Sequence, residues 1–200
     1  MASGSAASSE ARLDSLLRHY EDAQREQGNP TRWLRTEELK ACLEDIDSDV
    51  KMILVDVRDE AEQRVSVLKG ALSPARLDEL LKNTGAPPGY STSDEISRAE
   101  LGRTLLVPYC TAGVRSAAFG SRLAAKYPEW APYIRNGEGI VRATYVMPEY
   151  IVDPLTGVAV RRVHVFGETW NLAAPSFETV QFSRWQRLAR AWSHLSSQRP

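Results

Sequence analysis

Two cysteines, three histidines and three methionines in 200 residues leave little material for several kinds of protein. Cys42 and Cys110 cannot build a disulfide framework, and no Cys/His cluster has zinc-ligand spacing, so a disulfide-stapled secreted domain and a structural metal site are both disfavoured. A reducing compartment is expected, and with it a cytoplasmic location. No apolar run approaches the length that spans a bilayer. Neither charge sign is in excess: 25 Lys and Arg stand against 26 Asp and Glu, which implies no general attraction to nucleic acid or anionic lipid. The Ser- and Ala-rich start, MASGSAASSEARLDSLL, resembles a transit peptide in composition, but Glu10, Asp14 and the missing apolar core fit a solvated tail better. Organelle targeting stays open.

The chain has the length and composition of one soluble domain with appendages. Leu13, Leu16, Leu17 and Tyr20 recur at helical spacing, which predicts an amphipathic helix over residues 9–27, capped by Ser8 or Ser9 and ended by Gly28-Asn29-Pro30. A second helix, Thr36 to Asp45, starts at a plausible Thr cap and turns Leu39, Leu43 and Ile46 to one side. MILVDV (Met52 to Val57) and LLVPY (Leu105 to Tyr109) are apolar without alternation, as strands covered on both faces of a parallel sheet are. Val67 to Leu72 reads as a short strand. Ser73-Pro74 then opens a helix, with the Ser as cap and the Pro as first helical residue. Residues 84–94 read as a Gly/Pro/Ser surface loop, Ser116 to Tyr127 as a helix, and YIR as a strand entering the turn Asn136-Gly137-Glu138-Gly139. Further on, Asp153 to Gly157 reads as the loop of a β-hairpin. Trp185, Leu188, Trp192 and Leu195 then mark a closing helix with a Ser183/Gln186 capping box. The expected organisation is a tail and helix (1–31), an α/β domain (32–145) and a hairpin-helix extension packing on it (146–200).

Within this plan VPYCTAGVRSAAFGSRLA, Val107 to Ala124, stands apart. In open α/β sheets, ligands sit beyond the carboxyl ends of the strands, and Cys110 is at such an end. The loop that follows contains Gly113 and enters a helix. A tight loop of this kind turns successive N–H groups inward, and these donors with the positive helix end bind an anion and favour a thiolate. Arg115 adds a charge able to fork onto an oxyanion. No histidine stands in a motif relation to Cys110.

C-T-A-G-V-R-S resembles the active-site loop of rhodanese-like sulfurtransferases, whose pattern is C-x-x-G-x-R. LRTEELKACLED is similar to that family's entry helix, MILVDVRDEAE to its DVR strand, VLKGAL to the Gly-Ala segment after it, and IRNGEGI to the stretch after the active-site helix. Together they cover about residues 34–142. The resemblance implies an open, mostly parallel sheet flanked by helices. It also implies a sulfurtransferase in which Cys110 takes a sulfane sulfur from a donor such as thiosulfate and passes it to a thiol or cyanide, without a cofactor. In this reading Cys110 is the nucleophile, and Thr111, Ala112, Gly113, Val114, Arg115 and Ser116 form the anion-binding loop. Asp56 and Arg58 are structural supports that tie the strand end to neighbouring loops. Rhodanese-fold phosphatases and arsenate reductases carry a loop one residue longer, C-x-x-x-x-x-R, which suits a tetrahedral phosphate. The loop here is the short one.

The chain departs from the family at Val67-Leu68-Lys69-Gly70-Ala71, where a His-Ile-Pro-Gly-Ala stretch is usual. It departs again at Glu138, where a glycine is common and a carboxylate is expected near the loop, narrowing the range of anionic donors. Ser116 is expected to cap its helix, Thr111 could touch substrate, and Cys42 is expected to be a packed thiol. His164 is expected to be an exposed strand residue. Arg184, Arg187 and Arg190 read as a solvated face opposite the buried Trp185 and Trp192. The competing reading from another class is an interaction or regulatory module with a rhodanese-like scaffold, recruiting a protein partner through the extension.

Overall fold

In a computed structural model of the chain, residues 3–45, 47, 50–84 and 104–181 are described. The two unalternating apolar runs occupy the middle of the sheet. Strands β2 (Lys51–Asp56) and β4 (Thr104–Tyr109) pair in parallel along their whole length, from Lys51 opposite Thr104 to Asp56 opposite Tyr109. Beyond β4, a parallel bridge from Leu106 to Ile134 leads to β5 (Arg135–Gly137), which pairs in parallel with β1 (Arg32–Leu34). On the other side, Leu72 bridges Val55 in parallel. This is an α/β fold with a mostly parallel sheet.

Helices cover both faces because neighbouring strand residues point opposite ways. On one face Val55 and Leu106 pack with Leu77 and Leu81 of α4 (Pro74–Thr84), Leu123 of α5 (Val114–Lys126), Trp130 and Ile134. On the other, Leu54 and Val107 pack with Leu13 and Leu17 of α1 (Ser3–Glu26) and Leu39 of α2 (Thr36–Glu44). Ile140 and Val141 of α6 (Ile140–Val146) join them there. A single turn, α3 (Glu60–Gln63), follows β2. The chain after residue 146 shares that second core through Met147, Ile151, Val163, Val165 and Leu172. Tyr20 of α1 stacks on Trp170 at 5.3 Å between ring centroids, tying the first helix to this late segment.

Several local expectations change. Helix α1 begins at Ser3, ahead of the serines expected to cap it. Thr36 is the first helical residue rather than the cap. Its N–H and its hydroxyl both donate to the buried Glu138 carboxylate, at 2.8 and 2.9 Å. A long-range acid does there what a local hydroxyl was expected to do. Ser73 does cap α4, accepting from the Arg76 N–H at 3.3 Å. The expected turn at Asn136-Gly137 is the end of β5. The hairpin is shorter than the sequence suggests. Strand β6 (Ile151–Val152) returns only to a bridge at Ala159 and also pairs antiparallel with β3 (Val67–Leu68). Strand β7 (Arg162–His164) pairs in parallel with β8 (Glu178–Val180). The 84–94 loop beyond Thr84 and the closing helix with its tryptophans and arginines lie outside the described residues.

Candidate active site

Cys110 follows the last residue of β4 and is 2% exposed. The loop after it is held from outside by its carbonyls. The Ile140 N–H donates to the Cys110 carbonyl at 2.9 Å and the Val141 N–H to that of Thr111 at 3.2 Å. These donors are the otherwise unsatisfied first-turn amides of α6. The Asn136 side-chain amide donates to the Gly113 carbonyl at 2.9 Å. No backbone N–H from Thr111 to Arg115 donates to an acceptor among the described residues. With its carbonyls fastened outward and its N–H groups left over, this is a ring of donors of the kind that holds an anion.

Two glycines make the loop fit. Gly113 has φ +80°, and a Cβ there would lie 2.2 Å from the Trp33 ring, which underlies the loop. Gly139 has φ +107°, and a Cβ there would lie 2.5 Å from the Thr111 carbonyl oxygen. Ser116 does not cap α5, because Gly113 occupies the cap position. The Ser116 hydroxyl, fully buried, donates to the Cys110 sulfur at 3.6 Å. Of the other loop residues, Ala112 and Thr111 are buried and Val114 is exposed.

Arg115 turns to a residue the sequence reading did not single out. Its Nη1 and Nη2 donate to the two carboxylate oxygens of Glu62, at 2.6 and 2.8 Å, and Nη2 also donates to Thr111 Oγ1 at 3.0 Å. Glu62 is fully buried. It also meets His164 Nδ1 at 3.2 Å. Beside an ionised carboxylate, which only accepts, that nitrogen must carry the proton. His164 is therefore not an exposed strand residue but is wholly buried behind the loop. Phe166, two residues on, sets its ring 5.4 Å from the Arg115 guanidinium carbon. The segment after residue 146 thus supplies two side chains to the support of the loop arginine.

Asp56 and Arg58 form a buried pair with Nε–Oδ1 and Nη2–Oδ2 distances of 2.9 and 2.6 Å. Arg58 also donates to the Ser66 carbonyl, and the Tyr109 hydroxyl donates to Asp56 while accepting from the Leu68 N–H. The network ties the ends of β2 and β4 to β3. Glu138 is turned away from the loop: it accepts from Thr36 and from Arg35 Nη1 at 2.9 Å. Its carboxylate serves the buried start of α2, which needs an acceptor, and is not left as a free charge. Cys42 is half-buried in α2.

No protein-family model and no curated protein matches this chain. Solved structures do resemble it. A Rhodopseudomonas palustris protein of unknown function, described as a possible tyrosine phosphatase, is 20% identical over 64% of this chain and 83% of its own, with a TM-score of 0.35. A thiosulfate sulfurtransferase from Pseudomonas aeruginosa is 18% identical over 64% of this chain, with a TM-score of 0.42. The present chain spans only 21% of that enzyme's length. A Bacillus halodurans protein is 15% identical over 63% of this chain and 78% of its own, with a TM-score of 0.35. Similarity at this level carries no argument about activity. What the site can do has to be read from its own groups.

The charges behind the loop are fixed. Burial opposes the ionisation of Glu62, but the hydrogen bonds from Arg115 and His164 outweigh it and hold this carboxyl well below the usual carboxylate range. Burial likewise opposes the charge on Arg115, and the hydrogen bonds and charge of Glu62 override it, so its pKa is raised. Burial and the charge of Asp56 push the Tyr109 phenol well up, which keeps it a neutral donor. No helix of the described residues is long and apolar enough to cross a membrane.

Proposed function

We propose that the protein is a sulfurtransferase that carries a sulfane sulfur on Cys110. The observation that carries this reading is the loop itself. A cysteine follows the central strand, a serine hydroxyl donates to its sulfur, and the N–H groups of residues 111–115 have no acceptor among the described residues. The bound group such a ring suits is a small anion at the cysteine, and the C-x-x-G-x-R spacing suits sulfur rather than a tetrahedral phosphate.

The reaction has two steps. The Cys110 thiolate attacks the outer sulfur of thiosulfate; the sulfur–sulfur bond of the donor breaks and sulfite leaves with its electron pair. Cys110 then bears a persulfide, whose negative charge the loop N–H groups stabilise. An acceptor, a thiolate or cyanide, attacks the outer sulfur. The Cys110–sulfur bond breaks and its electron pair returns to Cys110 as thiolate. Arg115 is neutralised by Glu62 at its two Nη groups, so its part is to fix the loop's end rather than to grip a substrate oxyanion with both nitrogens. The test is turnover of thiosulfate to thiocyanate by the full chain. Cys110→Ser should abolish it, and turnover retained in that variant would overturn the proposal.

A further inference from the structure

We propose that a groove along α5 binds the sulfur acceptor, a small thiol with an apolar chain and a negative charge at its far end, and that Arg122 takes that charge. The inference deepens the sulfurtransferase reading and rests on it. The groove has a volume of about 370 Å³, within the range of small-molecule pockets. Arg115 forms the wall nearest the loop; Phe119 and Arg122 follow on the same side of α5, with Val57 and Pro74 facing them. Arg122 lies seven positions after Arg115, two helical turns, or roughly 10 Å along the axis.

Charge decides what the groove prefers. Among the described residues every other cation of α4 and α5 is paired: Arg76 with Glu79, Lys82 and Lys126 with Asp78, and Arg115 with Glu62. Arg122 makes no ion pair or hydrogen bond among the described residues and is exposed. Asp59 also lines the groove, and its charge bears on Arg115, so it offsets the positive potential at the loop end. The uncompensated charge is therefore at the far end. Between the two ends lie Phe119, Val57 and Pro74, which suit a hydrocarbon chain.

Burial of the cysteine fits the same division of labour. At 2% exposure the Cys110 sulfur suits a small donor. Once it is persulfidated, the reactive sulfur stands about 2 Å further out, one sulfur–sulfur bond length, and Arg115, which closes the loop, is the wall the groove shares with the site. The acceptor thiolate attacks that outer sulfur and leaves as a persulfide, while Cys110 recovers its thiolate.

The test compares 6-mercaptohexanoate with 6-mercaptohexanol as acceptors from thiosulfate-loaded full-length protein. The two have the same chain and differ in end charge. Wild type should favour the carboxylate in kcat/KM by about fivefold, as expected for an exposed ion pair, with the preference fading as salt is raised. Arg122→Ala should erase the preference, Arg122→Glu reverse it and Arg122→Lys keep most of it. The ratio within each protein cancels any general loss of activity. Titrating heptanoate against heptanol into Cys110→Ser protein reads the groove without sulfur chemistry, and the same ordering is expected. Equal use of the two thiols by wild type, or a preference that survives Arg122→Ala, would overturn the proposal. Failure of Cys110 to load sulfur, with heptanoate still bound through Arg122, would count against the sulfurtransferase reading and leave the groove as an anion site.

Discussion

Replacing Glu62 by Gln removes a charge from the most buried part of the loop's support. The carboxylate accepts both forks of Arg115, and an amide would present one acceptor and one donor to two donors. Breaking a fully buried ion pair costs about 3–5 kcal/mol, because the partner is left charged in a poor medium. Here Glu62 is fully buried but the Arg115 side chain is 35% exposed, and water can resolvate part of it. That brings the expected loss down to about 2 kcal/mol. In a chain of this size such a loss lowers Tm by roughly 4–8 °C. The effect should depend on pH with a definite sign. In the unfolded chain this carboxyl has its ordinary pKa, about 4.3. In the folded protein Arg115 and His164 hold it well below that range against the effect of burial. A group depressed by folding contributes stability that is complete above its unfolded pKa and is lost as pH falls toward the folded value. Wild type should therefore lose stability faster than Glu62→Gln below about pH 5, so that the gap between them narrows. Urea unfolding followed at several pH values reads both numbers. A variant as stable as wild type at neutral pH, with the same acid slope, would refute the assignment of Glu62 as the anchor of Arg115.

Gly113→Ala should cost about 1–2 kcal/mol for the left-handed backbone and about 1–3 kcal/mol more for the collision with Trp33. Adding Trp33→Leu should recover part of the second portion, which a double-mutant cycle of unfolding energies measures as a favourable coupling of about 1 kcal/mol. Asp56→Asn strands the Arg58 charge, whose side chain is 0% exposed, and should lower stability by about 3 kcal/mol or more, read as a fall in the urea midpoint. Because that network ties β2, β3 and β4 together, the loss should be global rather than confined to the loop.

The central strands were legible because burial on both faces writes itself into the residue order: MILVDV and LLVPY have no polar side to show. The loop was legible for a different reason, since its cysteine, glycine and arginine lie within six positions and a short motif preserves their spacing. What stayed hidden was held by partners far apart in the chain. Glu62 and His164 are 102 positions apart, as are Thr36 and Glu138, and no local pattern marks an acid for either task. Glu62 was the more accessible of the two, lying in the DVRDEAE stretch at the start of a helical turn, where its carboxylate could equally have been solvated. His164 between two valines reads as an outward strand residue by alternation, but β7 is covered on the side that carries it. Ser116 looked like a cap because serine favours that position, yet Gly113, with its positive φ, takes the cap and leaves the hydroxyl to the sulfur.

The measurement that tests the account most directly is the intact mass of the full chain after thiosulfate treatment, with and without a thiol reductant. The loop architecture predicts a gain of one sulfur atom that the reductant removes and that Cys110→Ser never acquires. A protein that gains no sulfur from thiosulfate, or gains it equally in Cys110→Ser, would contradict it.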